Sequence, residues 1–263
     1  MDKISGHPIP ISEFITGNSF IDIADECDAI FCKTDYVINY KNNKTNVFIT
    51  HNSDYHITEE VVKNGPKFNY WFAQNKDVKN DKIISIPIGL ENTKLRKSLK
   101  SNNSLYSSEV NGALQKSLLI DKINSYDIKK NKLVYLNFNV NTYPIERQYV
   151  MDMFKNESWV THTSNLSVEQ FYFDFAEHKF IFSPRGNGVD CHRTWEALYL
   201  GVIPIVKKSI HMNEFSDLPI LFIDNWSDVN EKMLHNFYEQ VKDTSYNLDK
   251  LKISYWKNII KNS

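Results

Sequence analysis

From residue 133 onward, short apolar runs alternate with segments of helical period, and that alternation restricts the fold more than any other feature of the chain. The runs are 133–138 (LVYLNF), 159–163 (WVTHT), 180–183 (FIFS), 202–206 (VIPIV) and 220–223 (ILFI), rich in the β-branched and aromatic residues that favour strands. Between them, Ile145, Tyr149, Val150, Met153 and Phe154, and then Val168, Phe171, Tyr172 and Phe175, recur at the spacing of a helix face. A further helix carries Val229, Met233, Leu234, Phe237 and Tyr238. Strands that alternate with helices at these lengths predict a parallel, doubly wound sheet with right-handed crossovers.

The first half is patterned more weakly. Residues 29–36 (AIFCKTDY), 45–50 (TNVFIT), 68–74 (FNYWFAQ) and 82–88 (KIISIPI) read as strands, and Thr58 as the N-cap of a short helix that Gly65 and Pro66 close. The acidic run Asp22, Asp25, Glu26 and Asp28 reads as a solvated face, because its spacing does not make a metal box. Residues 93–130, rich in Lys, Ser and Asn, read as a linker charged by Lys94, Arg96, Lys97 and Lys100, with one helix bearing Leu114, Leu118, Leu119 and Ile123. A chain of 263 residues is long enough for two compact units. The expected fold class is therefore α/β, in two successive units, 1–125 and 126–263. The last helix, with Leu248, Leu251, Tyr255, Trp256 and Ile259 on one face, either completes the second core or packs back on the first domain.

Composition removes several function classes. With 31 basic and 32 acidic side chains the net charge is -1, so no global field holds a nucleic acid. Three cysteines, Cys27, Cys32 and Cys191, make neither a disulfide framework nor a paired zinc motif. The N-terminus lacks a signal-peptide pattern, and no stretch approaches ~18 consecutive apolar residues. The expectation is a cytoplasmic protein without a membrane span, with oligomeric state open and a monomer favoured.

Only four cations are arginines, Arg96, Arg147, Arg185 and Arg193, and two of them fall in 180–206 (FIFSPRGNGVDCHRTWEALYLGVIPIV). This stretch reads as strand, glycine loop, helix and strand. In an open α/β sheet such a loop lies at the carboxyl end of its strand, where ligands bind. Gly186 and Gly188 permit close approach of backbone to a ligand, Asn187 lies between them, and the helix from about Asp190 aims free N–H groups at an anion. Arg193 in the first helical turn opposes the helix dipole unless an anion is near. His192, Arg193 and Glu196 share one helical face, and Glu196 suits a ribose diol; the plainer reading is a surface ion pair between Arg193 and Glu196.

The segment RGNGVDCHRTWEALYLGVIPIV resembles the nucleotide-sugar signature of exostosin-type glycosyltransferases, with an R-x-x-E-A element opening the helix and G-x-I-P-[IV] closing it. The following SDLPILFIDNWSDV is similar to that family's next strand and loop; the likeness spans about 178–230, and the first half matches in outline. It implies a GT-B arrangement, two Rossmann-like domains facing each other across a cleft, and inverting transfer without a metal. It also implies that Arg193 contacts the donor diphosphate and Glu196 its ribose, with Arg185 a further phosphate ligand. Eukaryotic members are commonly longer and tethered to a membrane, features this chain does not show. No cofactor is implied beyond the donor, a nucleoside-diphosphate sugar of UDP or GDP type, with a glycan or other hydroxyl as acceptor.

Inverting transfer needs a general base and cations for the leaving diphosphate. Asn139, Arg147 and Lys207 belong to the same sheet edge as Arg193 and are candidate donor contacts, although Arg147 and Lys207 read equally as surface residues. For the base, Asp54, His51 and His56 follow a strand of the first half, Asp54 being slightly favoured, and Glu91 is the rival. Histidines five residues apart do not share a helical turn, which speaks against zinc. The alternatives are a catalytically inactive nucleotide- or glycan-binding relative, and an epimerase or dehydrogenase; against the latter stands the absence of a G-x-G-x-x-G turn after an early strand.

Overall fold

The computed structural model describes residues 9–91 and 112–263; half of the sequence-predicted linker, with Lys94, Arg96, Lys97 and Lys100, lies outside them. Helix α1 (Ser19–Glu26) buries Phe20, Ile23 and Ala24 and leaves the acidic run exposed. Strand β1 (Ile30–Cys32) is shorter than expected, because a 3-10 helix takes over from Thr34 to Tyr40 and buries Thr34 and Val37, three residues apart. Strand β2 (Lys44–Thr50) is buried only over its last four residues. Helix α2 (Glu59–Lys63) starts at Thr58, whose hydroxyl accepts the Val61 N–H at 3.4 Å. Strands β3 (Lys67–Ala73) and β4 (Ile83–Ser85) complete a parallel sheet in the order β1-β2-β3-β4. The expected run to residue 88 stops at Ser85, two residues before Pro87, which has no N–H for a ladder.

Helix α3 (Gly112–Asn124) corrects the reading of its apolar face. Leu114 and Leu118 are about half exposed, and the buried side carries Ala113, Ser117, Ile120 and Ile123. Lys116 shares that side and is bound to two carboxylates, so an ion pair together with small residues, rather than the leucines, decides which way α3 turns.

The second sheet follows the predicted order of elements. It comprises β5 (Lys132–Leu136), α4 (Pro144–Phe154), β6 (Val160–His162), α5 (Val168–Ala176), β7 (His178–Phe182), α6 (His192–Tyr199), β8 (Ile203–Lys207), α7 (Ile210–Asn213) and β9 (Leu221–Ile223), followed by α8 (Glu231–Val241) and α9 (Ile253–Lys261). The strands are parallel in the order β6-β5-β7-β8-β9. In α4 the inward side carries Arg147, Val150 and Phe154, whereas Ile145 and Tyr149, expected on it, are exposed.

Both faces of this sheet are covered, and the strands sort their residues with period two. Val134, Leu136, Phe180, Phe182, Ile203 and Ile205 pack on α4 and α8 through Val150, Phe154, Leu234 and Tyr238. Tyr135, Ile181 and Val206 face the other way, into a core shared with Phe14, Ile15, Phe20, Ile49 and Phe72 of the first half. The two halves therefore share one continuous core, and α3 packs on α5 of the second half. Helix α9 closes this core from outside: Trp256 stands edge-on to Phe20 and Phe215, Lys257 pairs with Glu26, and Glu13 accepts the Ser254 N–H at 3.0 Å. It therefore packs on both halves of the chain. No helix among the described residues is long and apolar enough to cross a membrane.

Trp256 is 2% exposed and joins both halves. Replacing it with Ala is expected to lower the unfolding free energy by about 3–5 kcal/mol, measured by urea denaturation, because the cavity opens in the shared core.

Candidate functional site

In the order β6-β5-β7-β8-β9 the crossovers leave β5 and β7 in opposite directions, so the crevice of a doubly wound sheet falls beyond their carboxyl ends. Arg147 of α4 joins the two loops that leave these strands. It is 4% exposed, and donates from Nη1 to the Asn139 carbonyl at 2.8 Å and from Nε to the Arg185 carbonyl at 2.8 Å. Two of its five N–H groups go to these backbone carbonyls, so Arg147 is not the surface residue considered from sequence. Burial and the neighbouring Arg193 charge depress its pKa to about 10.

Arg193 lies on the second residue of α6. Its guanidinium stands 5.4 Å from the centre of the Phe138 ring, and that of Arg147 stands 5.7 Å from the same ring. Nη1 of Arg193 is buried without a hydrogen-bond partner. Arg185 lies 4.6 Å over Tyr143 and donates from Nη2 to the Asn187 carbonyl at 2.6 Å and to His56 Nε2 at 2.9 Å. Among the described residues none of these three arginines pairs with a carboxylate. Gathering cations out of water without counter-charge costs several kcal/mol per ion. The arrangement suits a bound anion, which would supply both the charge and the missing acceptor.

Both glycines also serve packing. A Cβ on Gly188 would fall 2.7 Å from Asn75 Nδ2, and one on Gly186 would meet Arg147 Nη2 at 3.3 Å. Asn187 is exposed and donates to Asp54 Oδ2 at 3.3 Å. Asn139, also exposed, uses its side chain to accept the Asn141 N–H, and Lys207 is exposed at the end of β8.

Behind the loop, Asp190 and Asn75 lock the two halves together. Asp190 is 3% exposed; Oδ2 accepts the Ile88 N–H at 2.7 Å, Oδ1 accepts Trp195 Nε1–H at 2.7 Å, and its own N–H donates to Asn75 Oδ1 at 2.9 Å. Asn75 holds φ 55°, a left-handed conformation that Asn tolerates better than most residues, and donates to the Ser53 carbonyl at 2.9 Å. His211 Nδ1 accepts the Lys76 N–H at 3.3 Å, and its Nε2 lies 3.4 Å from Asp190 Oδ2.

Glu196 and Arg193 part company, contrary to the shared face expected. Glu196 accepts from Lys116 Nζ at 2.7 Å, and the same ammonium lies 3.1 Å from Glu91. Burial alone would lower the Lys116 pKa, but the Glu196 and Glu91 carboxylates outweigh it and hold the ammonium well above its ordinary value. His192 joins this group through the Gly89 carbonyl at 2.8 Å and Glu91 at 3.8 Å. The surface ion pair between Arg193 and Glu196 does not form.

Of the candidate bases, His51 is fully buried, with Nε2 2.9 Å from the Pro87 carbonyl and Nδ1 3.1 Å from Asn52 Oδ1. Burial depresses its pKa to about 4, and with both ring nitrogens engaged it belongs to the scaffold, a correction to its reading as a base. Glu91 sits in the Lys116 cluster. Asp54 and His56 are the two that reach the glycine loop, through Asn187 and Arg185. Sequence reasoning did not single out Asn75, Lys116, Phe138 or Asp190. One signal was present: β2 and β3 are each followed directly by a polar residue and then Asn, His51-Asn52 and Gln74-Asn75, and both asparagines take positive φ.

Among the described residues no group of three or more His, Cys, Asp or Glu side chains is placed to hold a metal ion. Surface hollows beside α5, lined by Leu166, Gln170 and Phe173, and on α8, lined by Met233 and Phe237, share no residue with the arginine cluster. No protein-family model matches the chain, and no curated protein matches it either.

Lys116→Met is expected to destabilise the fold by about 3–5 kcal/mol in urea unfolding, because it leaves Glu91 and Glu196 without their shared cation. His51 and the equally buried His178 both have pKa values of about 4, pushed down from 6.5 by burial. As pH falls the unfolded chain binds these protons first, so the stability is complete above about pH 6.5 and lost progressively toward pH 4. Urea titrations across that window are expected to show a loss on the order of 3 kcal/mol per histidine, and His51→Gln to flatten the slope.

Proposed function

We propose that the crevice beyond β5 and β7 binds a nucleoside-diphosphate sugar, UDP or GDP type, and that the protein is a glycosyltransferase of GT-B type. The sugar passes to a hydroxyl of a glycan or other acceptor, with inversion and without a metal. The observation that carries this reading is the set Arg147, Arg185 and Arg193, without carboxylate partners among the described residues and with an orphaned Arg193 Nη1. An anion with several acceptor oxygens answers both deficits, and a diphosphate leaving group gains negative charge as the bond to the sugar breaks, where such cations act most strongly. The N-terminus of α6 adds its N–H groups from the same side.

In this reading Arg193 and Arg185 hold the diphosphate, and Arg147 keeps the two loops at the right separation. Glu196, held by Lys116, is an acceptor for the ribose hydroxyls. Asp54 and His56 come from the first half of the chain, on the side from which an acceptor would enter. Their contact with the glycine loop favours transfer over mere binding.

Arg193→Ala is expected to weaken UDP or GDP binding about 10- to 100-fold by calorimetry, the value of charge-assisted hydrogen bonds. Unchanged affinity for both nucleotides would remove the basis of the assignment.

A further inference from the structure

We propose that His56, oriented by Asp77, is the general base, and that Arg185 masks it until the donor diphosphate draws the guanidinium away. This rests on the glycosyltransferase reading above. His56 stands between β2 and α2, with Nδ1 3.4 Å from Asp77 Oδ2 in the turn between β3 and β4. That carboxylate fixes the proton on Nδ1 and turns the Nε2 lone pair outward, the arrangement a base requires. Nε2 meets Arg185 Nη2 at 2.9 Å. One side chain therefore touches both the lone pair and the region of the arginine cluster, which places a proton acceptor next to the sugar of a bound donor. Asp54, two residues earlier, is engaged with Asn187 of the same loop and stays exposed.

In the structure Arg185 donates to the imidazole Nε2 and to the Gly186 and Asn187 carbonyls. A diphosphate is the stronger acceptor, since its hydrogen bonds are charge-assisted on both sides. Donor binding thus draws Arg185 onto phosphate and exposes Nε2. The acceptor oxygen then bonds to the anomeric carbon while its proton passes to Nε2. The bond from that carbon to the diphosphate oxygen breaks, and its electron pair leaves on the diphosphate beside Arg185 and Arg193. The imidazolium is balanced by Asp77 until its proton is lost to water.

The test combines calorimetry of UDP and GDP with nucleotide release from UDP-glucose, UDP-N-acetylglucosamine, GDP-mannose and GDP-fucose, using simple glycosides and water as acceptors. His56→Gln is expected to lower kcat about 10²- to 10⁴-fold while nucleotide affinity stays equal or rises, because Arg185 is released. Asp77→Asn is expected to lower kcat with donor KM unchanged, the mark of a positioning residue, with thermal melting showing an intact fold. A readout independent of the acceptor is the His56 ring-nitrogen NMR signal, which is expected to shift when UDP or GDP saturates the protein. Turnover of His56→Gln within threefold of wild type, nucleotide affinity falling in step with kcat, or an unmoved His56 signal at saturation would each overturn the proposal. Failure of the wild-type protein to bind either nucleotide overturns the glycosyltransferase reading itself, and is distinguished from failure of the base by that binding measurement.

Discussion

Asp190 joins a backbone N–H of the first half, the Trp195 indole of the helix that follows it and, through its own N–H, the Asn75 side chain. These contacts are separated by 102, 5 and 115 residues along the chain, so one buried residue sets how the glycine loop, α6 and the first sheet meet. A buried carboxylate tolerates such a position only because its oxygens are supplied with donors, and the loss of any one would leave a charge poorly compensated. The absence of a side chain at Gly188 belongs to the same constraint, since Asn75 fills the space where a Cβ would be.

Two groups of charges flank α6 and are treated in opposite ways. On the side of the first half, Lys116 lies between Glu91 and Glu196, and His192 closes the group against the Gly89 carbonyl. In that cluster one ammonium is shared by two carboxylates. On the side of β5 and β7, the arginines are held by carbonyls and aromatic rings, which orient a guanidinium but do not cancel its charge. The contrast matters because both clusters are largely shielded from water. Among the described residues carboxylates meet the cation in one cluster and not in the other, and that difference is what the anion-binding proposal rests on.

Much of the architecture was legible, and for local reasons. Strand and helix periods in the second half reproduce the observed elements to within a few residues, because alternation and helical repeat follow directly from backbone geometry. Errors arose where a polar partner overrode the apolar pattern. Leu114 and Leu118 of α3 gave way to Lys116 with Ala113 and Ser117, and Ile145 and Tyr149 of α4 gave way to Arg147. In both helices a buried cation sits where the pattern of leucines or aromatics predicted an outward residue. The site was legible in part: Arg185 and Arg193 stood out by their rarity, whereas His51 looked functional and is enclosed by Phe20, Pro87 and Asn52.

The amino-acid sequence alone determined the α/β class, the succession of strands and helices after residue 133, and the gathering of arginine and glycine in one strand-loop-helix unit. Only the tertiary structure decided that β5 and β7 are neighbours, which puts the crevice at Arg147, Arg185 and Arg193. It also decided that Glu196 turns to Lys116, 80 residues away, and that His56 meets Arg185, 129 residues away. The physical reason is one of range: periodicity is a property of consecutive residues, while the partner of a charge depends on which distant elements the shared core brings together.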